Sequence, residues 1–344
     1  MKRIIILMLL LIFPISVKAE VVSHYIDAEI EIAGALNVKE LIIVKGNIDN
    51  LERTLNYKMI DKKWDNKTYG DLSLYNGYSL ENIKIGVFET DGEVDFNNFS
   101  EDLEDYLEEY NIKEEKENYY TKTETDLGYK LNIIYDTLEN DLTAFYIEYI
   151  ITNIVVIHED VAELNYSFLN LNYEAENTLI RVILPYNTEE KDFNVWIHGP
   201  SNGEYNYLTT ESGNYSGIIA SFPKLKSNVN IRLTIPKEQV GISMYLNKTK
   251  VEALDKIKKE EQEKIDKLNK GKLGLKTLKY IIVITSILYI PGSYILYKYK
   301  EKPLIITYLL LGIILTLFNI LFKYNIIFLY FILIPPIIML IKKS

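Results

Sequence analysis

Chemistry in this chain has few places to start. Among 344 residues there are three histidines, His24, His158 and His198, and no cysteine. That excludes disulfides, thiolate metal sites, cysteine nucleophiles and cysteine redox pairs. The most ligand-like local group is His158-Glu159-Asp160 together with Glu163. Carboxylates so close in sequence could hold a hard cation such as calcium through oxygen. The plainer reading is a polar loop at a strand end, with Asp160 bonded to backbone amides. His198 follows Trp196 and precedes Gly199-Pro200. With a carboxylate partner it could serve as a general base; otherwise it is a satisfied side chain beside a tight turn. No serine sits in a nucleophile elbow and no histidine pair has zinc spacing, so neither an α/β-hydrolase nor a zinc site is expected. No cofactor is expected.

The elements that must position these residues follow from charge and hydropathy. Residues 1–19 read as a secretory signal: Lys2 and Arg3, an apolar run from Ile4 to Ile15, then small residues at Val17 and Ala19 before the expected cleavage. An uncleaved anchor is the alternative. Both readings place the following domain outside the cytoplasmic membrane. Residues 20–247 carry 18 basic and 41 acidic side chains, a net charge of −23, inside a chain whose total is −10. A domain so acidic repels nucleic acid and anionic head groups, so no nucleic-acid partner is expected. At this length it can bury a core without staples.

Within 20–247 the dominant period is two. Ile26, Ala28, Ile30 and Ile32 alternate with Asp27, Glu29 and Glu31, as in a half-buried strand. Val229, Ile231, Leu233 and Ile235 alternate with Asn230, Arg232 and Thr234, and Ile83, Ile85 and Val87 form another such set. Phe145 to Ile151 is apolar on both faces except at Glu148, as in a central strand. Thr178 to Leu184, Phe193 to His198 and Gly217 to Phe222 complete the set, with turns at Asp91-Gly92, Ser201-Asn202-Gly203 and Ser212-Gly213-Asn214. Ile180 to Pro185 and Ile231 to Pro236 both read as strands stopped by proline. Phe99, Leu103, Tyr106, Leu107 and Tyr110 recur at helical spacing, so an amphipathic helix is expected near 97–111. The expected architecture is mainly β: a sandwich-like lobe over 20–160 with that inserted helix, and a second β lobe over 161–247.

The remainder is basic and then apolar. Residues 248–279 hold 11 lysines against six acids and read as a solvated, helical stalk, because Lys258 and Glu261 interrupt the seam that Val251, Leu254, Ile265 and Leu268 would form. Residues 280–297, 303–322 and 326–341 carry no charge and are expected to be three transmembrane helices, with Pro291-Gly292 and Pro335-Pro336 breaking the first and third. No ionisable residue lies inside any of the three, which argues against an ion pathway.

Two stretches carry a resemblance. FYIEYIITNIVVIHEDVAELNYSF, Phe145 to Phe168, and VWIHGPSNGEY, Val195 to Tyr205, followed by Ile231 to Pro236, resemble a family of predicted bacterial and archaeal membrane proteins whose exported part is called domain of unknown function 2207. Gly34 with Val38-Lys39-Glu40 resembles that family's opening strand pair, and Arg53 stands where a family arginine often occurs. The resemblance implies an exported β-rich domain tethered to the membrane and no established activity. Tyr166 departs from it, since the family often has tryptophan there, and with the first expected span running through Tyr299 and Glu301 into the second, the sizeable cytoplasmic region and glycine-rich tail usual in the family are not expected.

Together these readings describe a multi-pass protein of the cytoplasmic membrane with its N-terminal domain on the outer side. The expected role is binding or assembly with an envelope protein or polymer. One alternative is an envelope hydrolase using Asp160, Glu163 and His198, which requires those three to converge on one pocket. Another is an accessory subunit of a membrane transporter.

Overall fold

A computed structural model describes residues 20–48, 50–58, 77–90, 106–110, 118–135, 142–169, 173–241 and 247–299. The expected signal segment, the first part of the helix expected near 97–111, and the spans 303–322 and 326–341 lie outside these residues. The chain divides into two compact units, Met1–Lys256 and Ile257–Ser344.

The first unit is built of β-strands, as the period-two patterning requires. Its largest sheet has seven strands, drawn from both sides of residue 160. In spatial order they are β12 (Glu204–Thr209), β13 (Tyr215–Phe222), β10 (Ala175–Thr188), β1 (Glu20–Ile30), β2 (Leu36–Lys45), β7 (Leu142–Ile151) and β4 (Leu80–Thr90). A five-stranded sheet runs β11 (Asn194–His198), β14 (Val229–Ile235), β9 (Ala162–Leu169), β8 (Val156–Ile157) and β15 (Asn247–Lys248). A three-stranded sheet runs β3 (Asn50–Asn56), β6 (Gly128–Ile134) and β5 (Tyr119–Thr125). One apolar cluster takes side chains from all three sheets: Ile26, Val38 and Ile147 from the first, Leu164 and Ile231 from the second, Leu51 and Ile133 from the third. Each such side chain removed from water contributes about 1.5–3 kcal/mol. The outward face of the large sheet is not bare. Leu41, Ile43, Ala144 and Tyr146 form a second buried cluster there, with Tyr25, Phe88 and Leu142 against it.

Most neighbours in the large sheet are antiparallel, but β1 pairs with β10 in parallel, Ile26 opposite Ile180 and Ala28 opposite Val182. The β1–β2 connection turns at Gly34, whose φ of 75° suits glycine, and the Gly34 carbonyl accepts from the N–H groups of Ile154 and Val155 at 3.0 and 3.2 Å. Gly217 on β13 is required for a different reason. A Cβ there would lie 2.1 Å from the Val182 carbonyl oxygen of the neighbouring β10.

Three expectations are corrected. Residues 106–110 are extended rather than helical: the Leu107 N–H donates to Ile85 O at 2.7 Å, and Glu109 bridges to Tyr120. Their spacing fits a strand edge as well as a helix, because Leu107 alone packs inward over so short a stretch. Pro185 does not stop its strand. β10 runs on to Thr188, and the proline falls where the pairing with β13 shifts register between Ile183 and Thr188, so its missing N–H breaks no regular ladder. Arg232 and Thr234 do not face water. Both faces of β14 are buried.

The segment expected as stalk begins with β15, which pairs in parallel with β8, and becomes helical at Leu254. Helix α1 spans Leu254–Tyr299, 46 residues. Leu268, Leu273 and Leu275 on it are exposed. The helix runs through the segment expected as the first membrane span. Among the described residues no helix is long and apolar enough to cross a membrane.

Candidate functional site

Strand alternation carries ionisable side chains into the core. On β2 the inward set is Leu36, Val38, Glu40, Ile42 and Val44, so Glu40 occupies a core position between two β-branched residues. On β1 the inward phase of Ile26, Ala28 and Ile30 brings His24 with it. On β3, Arg53 lies inward between Leu51 and Leu55, and on β7, Tyr149 lies inward between Ile147 and Ile151.

These residues meet around Glu40. Its Oε2 accepts from Arg53 Nε at 2.7 Å and contacts His24 Nε2 at 3.0 Å. Its Oε1 accepts from Arg53 Nη2 at 2.8 Å and from the Tyr149 hydroxyl at 2.7 Å. Arg53 also donates to the Thr54 and Phe168 carbonyls, at 2.8 and 2.9 Å. The Tyr173 hydroxyl lies 3.2 Å from His24 Nδ1. The consistent proton assignment puts hydrogen on His24 Nε2, donating to Glu40, and lets Nδ1 accept from Tyr173. Burial alone would raise the Glu40 pKa, but the charge of Arg53 and the hydrogen bonds from His24 and Arg53 outweigh it and hold the carboxyl well below the usual carboxylate range. Burial lowers the His24 pKa against the opposing pull of Glu40, and burial raises that of Tyr173.

Tyr173, His24 and Glu40 stand in the hydroxyl–imidazole–carboxylate order of a nucleophile relay. Tyr173 also borders a cavity of about 330 Å³ between β1, β2 and β3, with Val44, Asn50 and Leu51. The electrostatics oppose a relay. A raised tyrosine pKa and a lowered histidine pKa both disfavour transfer of the hydroxyl proton to imidazole, and Arg53 already occupies the carboxylate. The cluster is a saturated, nearly neutral structural network.

The residues singled out in the sequence divide into separate roles. His158 and Glu163 are both fully buried, with Nε2 and Oε2 3.0 Å apart. Glu163 Oε1 accepts from Arg232 Nε at 2.5 Å, and His158 Nδ1 lies 2.7 Å from Thr249 Oγ1. Here, too, a glutamate joins a histidine and an arginine. This second network lies on the face of β9 opposite Leu164, Tyr166 and Phe168, and Thr249, just after β15, closes one end of it. Asp160 takes no part. Its carboxylate accepts from the Ala253 and Leu254 N–H groups at 2.8 and 2.9 Å, capping the start of α1. Glu159 is exposed, and its backbone N–H donates to Val251 O. His198 sits at the far end of β11, opposite Asn230, whereas Glu163 is opposite Thr234 on the same strand. That separates them by roughly 13 Å along the sheet. Asp160, Glu163 and His198 therefore do not converge. Among the described residues no group of three His, Asp or Glu side chains is placed to hold a metal ion.

An open groove of about 650 Å³ lies at one end of the large sheet, where the β1–β2 turn, the start of β4 and the end of β7 meet. Ala33, Ala35 and Ile150 supply apolar lining, and Glu31, Glu81, Tyr78, Thr152 and Asn153 the polar part. Tyr78 is 79% exposed. Its backbone is fixed, with its N–H donating to Thr152 O at 2.8 Å. Ser79 Oγ donates to the Glu81 carboxylate and lies 2.7 Å from Thr152 Oγ1. Asn153 in the lining, with a φ of 55°, adopts the left-handed conformation. Nothing in the hydropathy pattern marked this groove.

Residues 23–232 match the family model described as the N-terminal domain of predicted membrane proteins, domain of unknown function 2207. The chain belongs to that family. The matched residues of this domain of unknown function contain the Glu40 network, every residue of the groove, and the second network except Thr249. No curated protein matches the chain. Its likenesses to solved structures are loose. A candidate protease from Parabacteroides distasonis is 8% identical with a TM-score of 0.35, covering 63% of this chain and 40% of that one. A nutrient-binding candidate from Legionella pneumophila is 9% identical with a TM-score of 0.30, covering 62% and 66%. A zinc metallopeptidase of the M1 type from Deinococcus radiodurans is 9% identical with a TM-score of 0.29, covering 62% and 42%. This chain thus spans 40%, 66% and 42% of the length of these three solved chains.

Proposed function

We propose that the β unit of this predicted membrane protein is an exported binding or assembly module, held at the outer side of the cytoplasmic membrane by the apolar segments after residue 279. The observation that supports it is the contrast between its two kinds of polar site. The ionisable side chains that could do proton chemistry are buried and committed to one another around Glu40 and Glu163. The accessible concavity instead pairs an apolar wall with fixed polar groups, as binding sites do. The hydrolase reading loses support from the separation of His198 and Glu163. The partner is an envelope protein or polymer.

Crosslinking of the tagged, full-length protein in intact cells tests this. Recurrent recovery of one envelope protein or polymer is the expected result. Recovery of the protein alone, with bond cleavage in an envelope polymer by the purified protein, would replace this reading with an enzymatic one.

A further inference from the structure

We propose that the groove at the end of the large sheet binds a small soluble alkylammonium cation. This rests on the binding reading and names the ligand class. Three features of the lining converge on it. The first is charge: Glu31 and Glu81 both line the groove, while its described lining contains no lysine, arginine or histidine. They belong to a segment whose net charge is −23, so the surrounding field draws cations rather than anions. The second is the ring of Tyr78, which projects from a pinned backbone with most of its surface open. An aromatic face with nearby carboxylates is the usual arrangement for an organic ammonium, because the ring quadrupole and the anions attract the same charge. The third is the apolar wall of Ala33, Ala35 and Ile150, which suits carbon substituents on the nitrogen and gives a hydrated metal ion nothing. The volume of about 650 Å³ accommodates such a molecule.

The supports are built before the ligand arrives. Ser79 holds the Glu81 carboxylate, and the Thr152 N–H donates to Ser79 O at 3.0 Å, tying β4 to the end of β7. The Gly34 carbonyl ties the β1–β2 turn, which carries Glu31, Ala33 and Ala35, to residues 154 and 155. A framework fixed on three strands presents its groups without reordering on binding.

Calorimetric titration of the full-length protein in a non-ionic detergent, with choline and spermidine as probes and glucose as a neutral control, tests the assignment. Saturable heat with both amines, weakened by salt and absent with glucose, is expected. The joint replacement Glu31→Gln with Glu81→Gln is expected to weaken binding about tenfold. Tyr78→Ala is expected to weaken it about threefold and Tyr78→Trp to tighten it, since tryptophan offers the stronger cation–π face. Tyr78 is exposed, so its variants remain informative if the glutamate variant fails to fold. Glucose binding as tight as choline, or choline binding unaffected by all three variants, overturns the proposal. Absence of heat with both amines overturns it too, and an envelope partner still crosslinked in cells would then show that the ligand class failed and the binding reading did not.

Discussion

Arg53 holds Glu40 with two arms of its guanidinium, Nε on Oε2 at 2.7 Å and Nη2 on Oε1 at 2.8 Å, in the interior of the β unit. Such a bidentate pair is strong only while both charges are present, because each was stripped of water to get there. Glu40→Gln is expected to cost about 3–5 kcal/mol, read from the denaturant midpoint of the purified protein. The double replacement Glu40→Leu with Arg53→Met is expected to cost less than the two single changes added together. Strict additivity would mean that the two charges are not coupled.

The same cluster sets the response to acid. The folded protein disfavours a proton on buried His24, whose pKa lies below its ordinary 6.5, so the unfolded state binds more protons as the pH drops below about 6.5. Stability therefore falls on acidification from neutrality. Glu40 adds a second loss. Its contribution is complete above its ordinary value of 4.5 and disappears as the pH falls toward its much lower folded pKa. His24→Gln is expected to flatten the stability profile between about pH 7 and 5 and leave the steeper loss below about 4.5. Identical profiles above pH 5 in the two proteins would remove His24 as the cause.

Asp160 reaches across 93 residues of sequence to cap α1. Asp160→Ala is expected to cost about 1 kcal/mol, and Asp160→Asn less, since an asparagine oxygen can still accept. Hydrogen exchange locates the effect. The amides of Ala253 and Leu254 should exchange faster while those of β1 and β2 stay protected, and unchanged exchange at 253 and 254 would argue that the cap is not formed in solution.

Gly217→Ala places a methyl against the backbone oxygen of Val182, which cannot swing away as a side chain would. A loss of about 1–3 kcal/mol is expected. Gly213→Ala serves as the comparison. It has open space but a φ of 84°, so its cost comes from backbone conformation alone. Loss of the β10–β13 amide protection in the first variant and its retention in the second would separate the two causes.

What was legible in the sequence was periodicity. The alternation from Ile26 to Ile30 and the stretches Thr178–Leu184 and Gly217–Phe222 each fall on a strand, because a period of two puts one set of side chains on the buried face of a sheet. The bonding of Asp160 to backbone amides was legible as well, though not that those amides open a helix 93 residues away. The Glu40 network was not, although its phase was: Val38, Glu40, Ile42 and Val44 share one face. A glutamate at a core position reads as noise until its partners are known, and those lie on three other strands, 13 to 109 residues away. The same holds for Arg232: alternation alone places it outward, and the partner that lets it be buried, Glu163, lies 69 residues upstream. Pairings between distant strands leave no local trace. The helix expected near 97–111 failed at 106–110 for a related reason: the backbone there bonds to Ile85 and Tyr120, partners distant in sequence that helical spacing does not reveal.

The parallel pairing of β1 with β10 gives the order of chain emergence a physical cost. β1 and β2 can zip together as a hairpin once Lys45 has appeared, but the other edge of β1 stays open until Ala175–Thr188 follows. At ordinary rates of synthesis that is a wait of roughly ten seconds. During it, a strand carrying Ile26, Ala28 and Ile30 offers a row of unsatisfied amides to any neighbouring chain. The nascent protein is thus most vulnerable to aggregation before its second half exists, and a chaperone that shields the first thirty residues of the β unit would be the one that governs its yield.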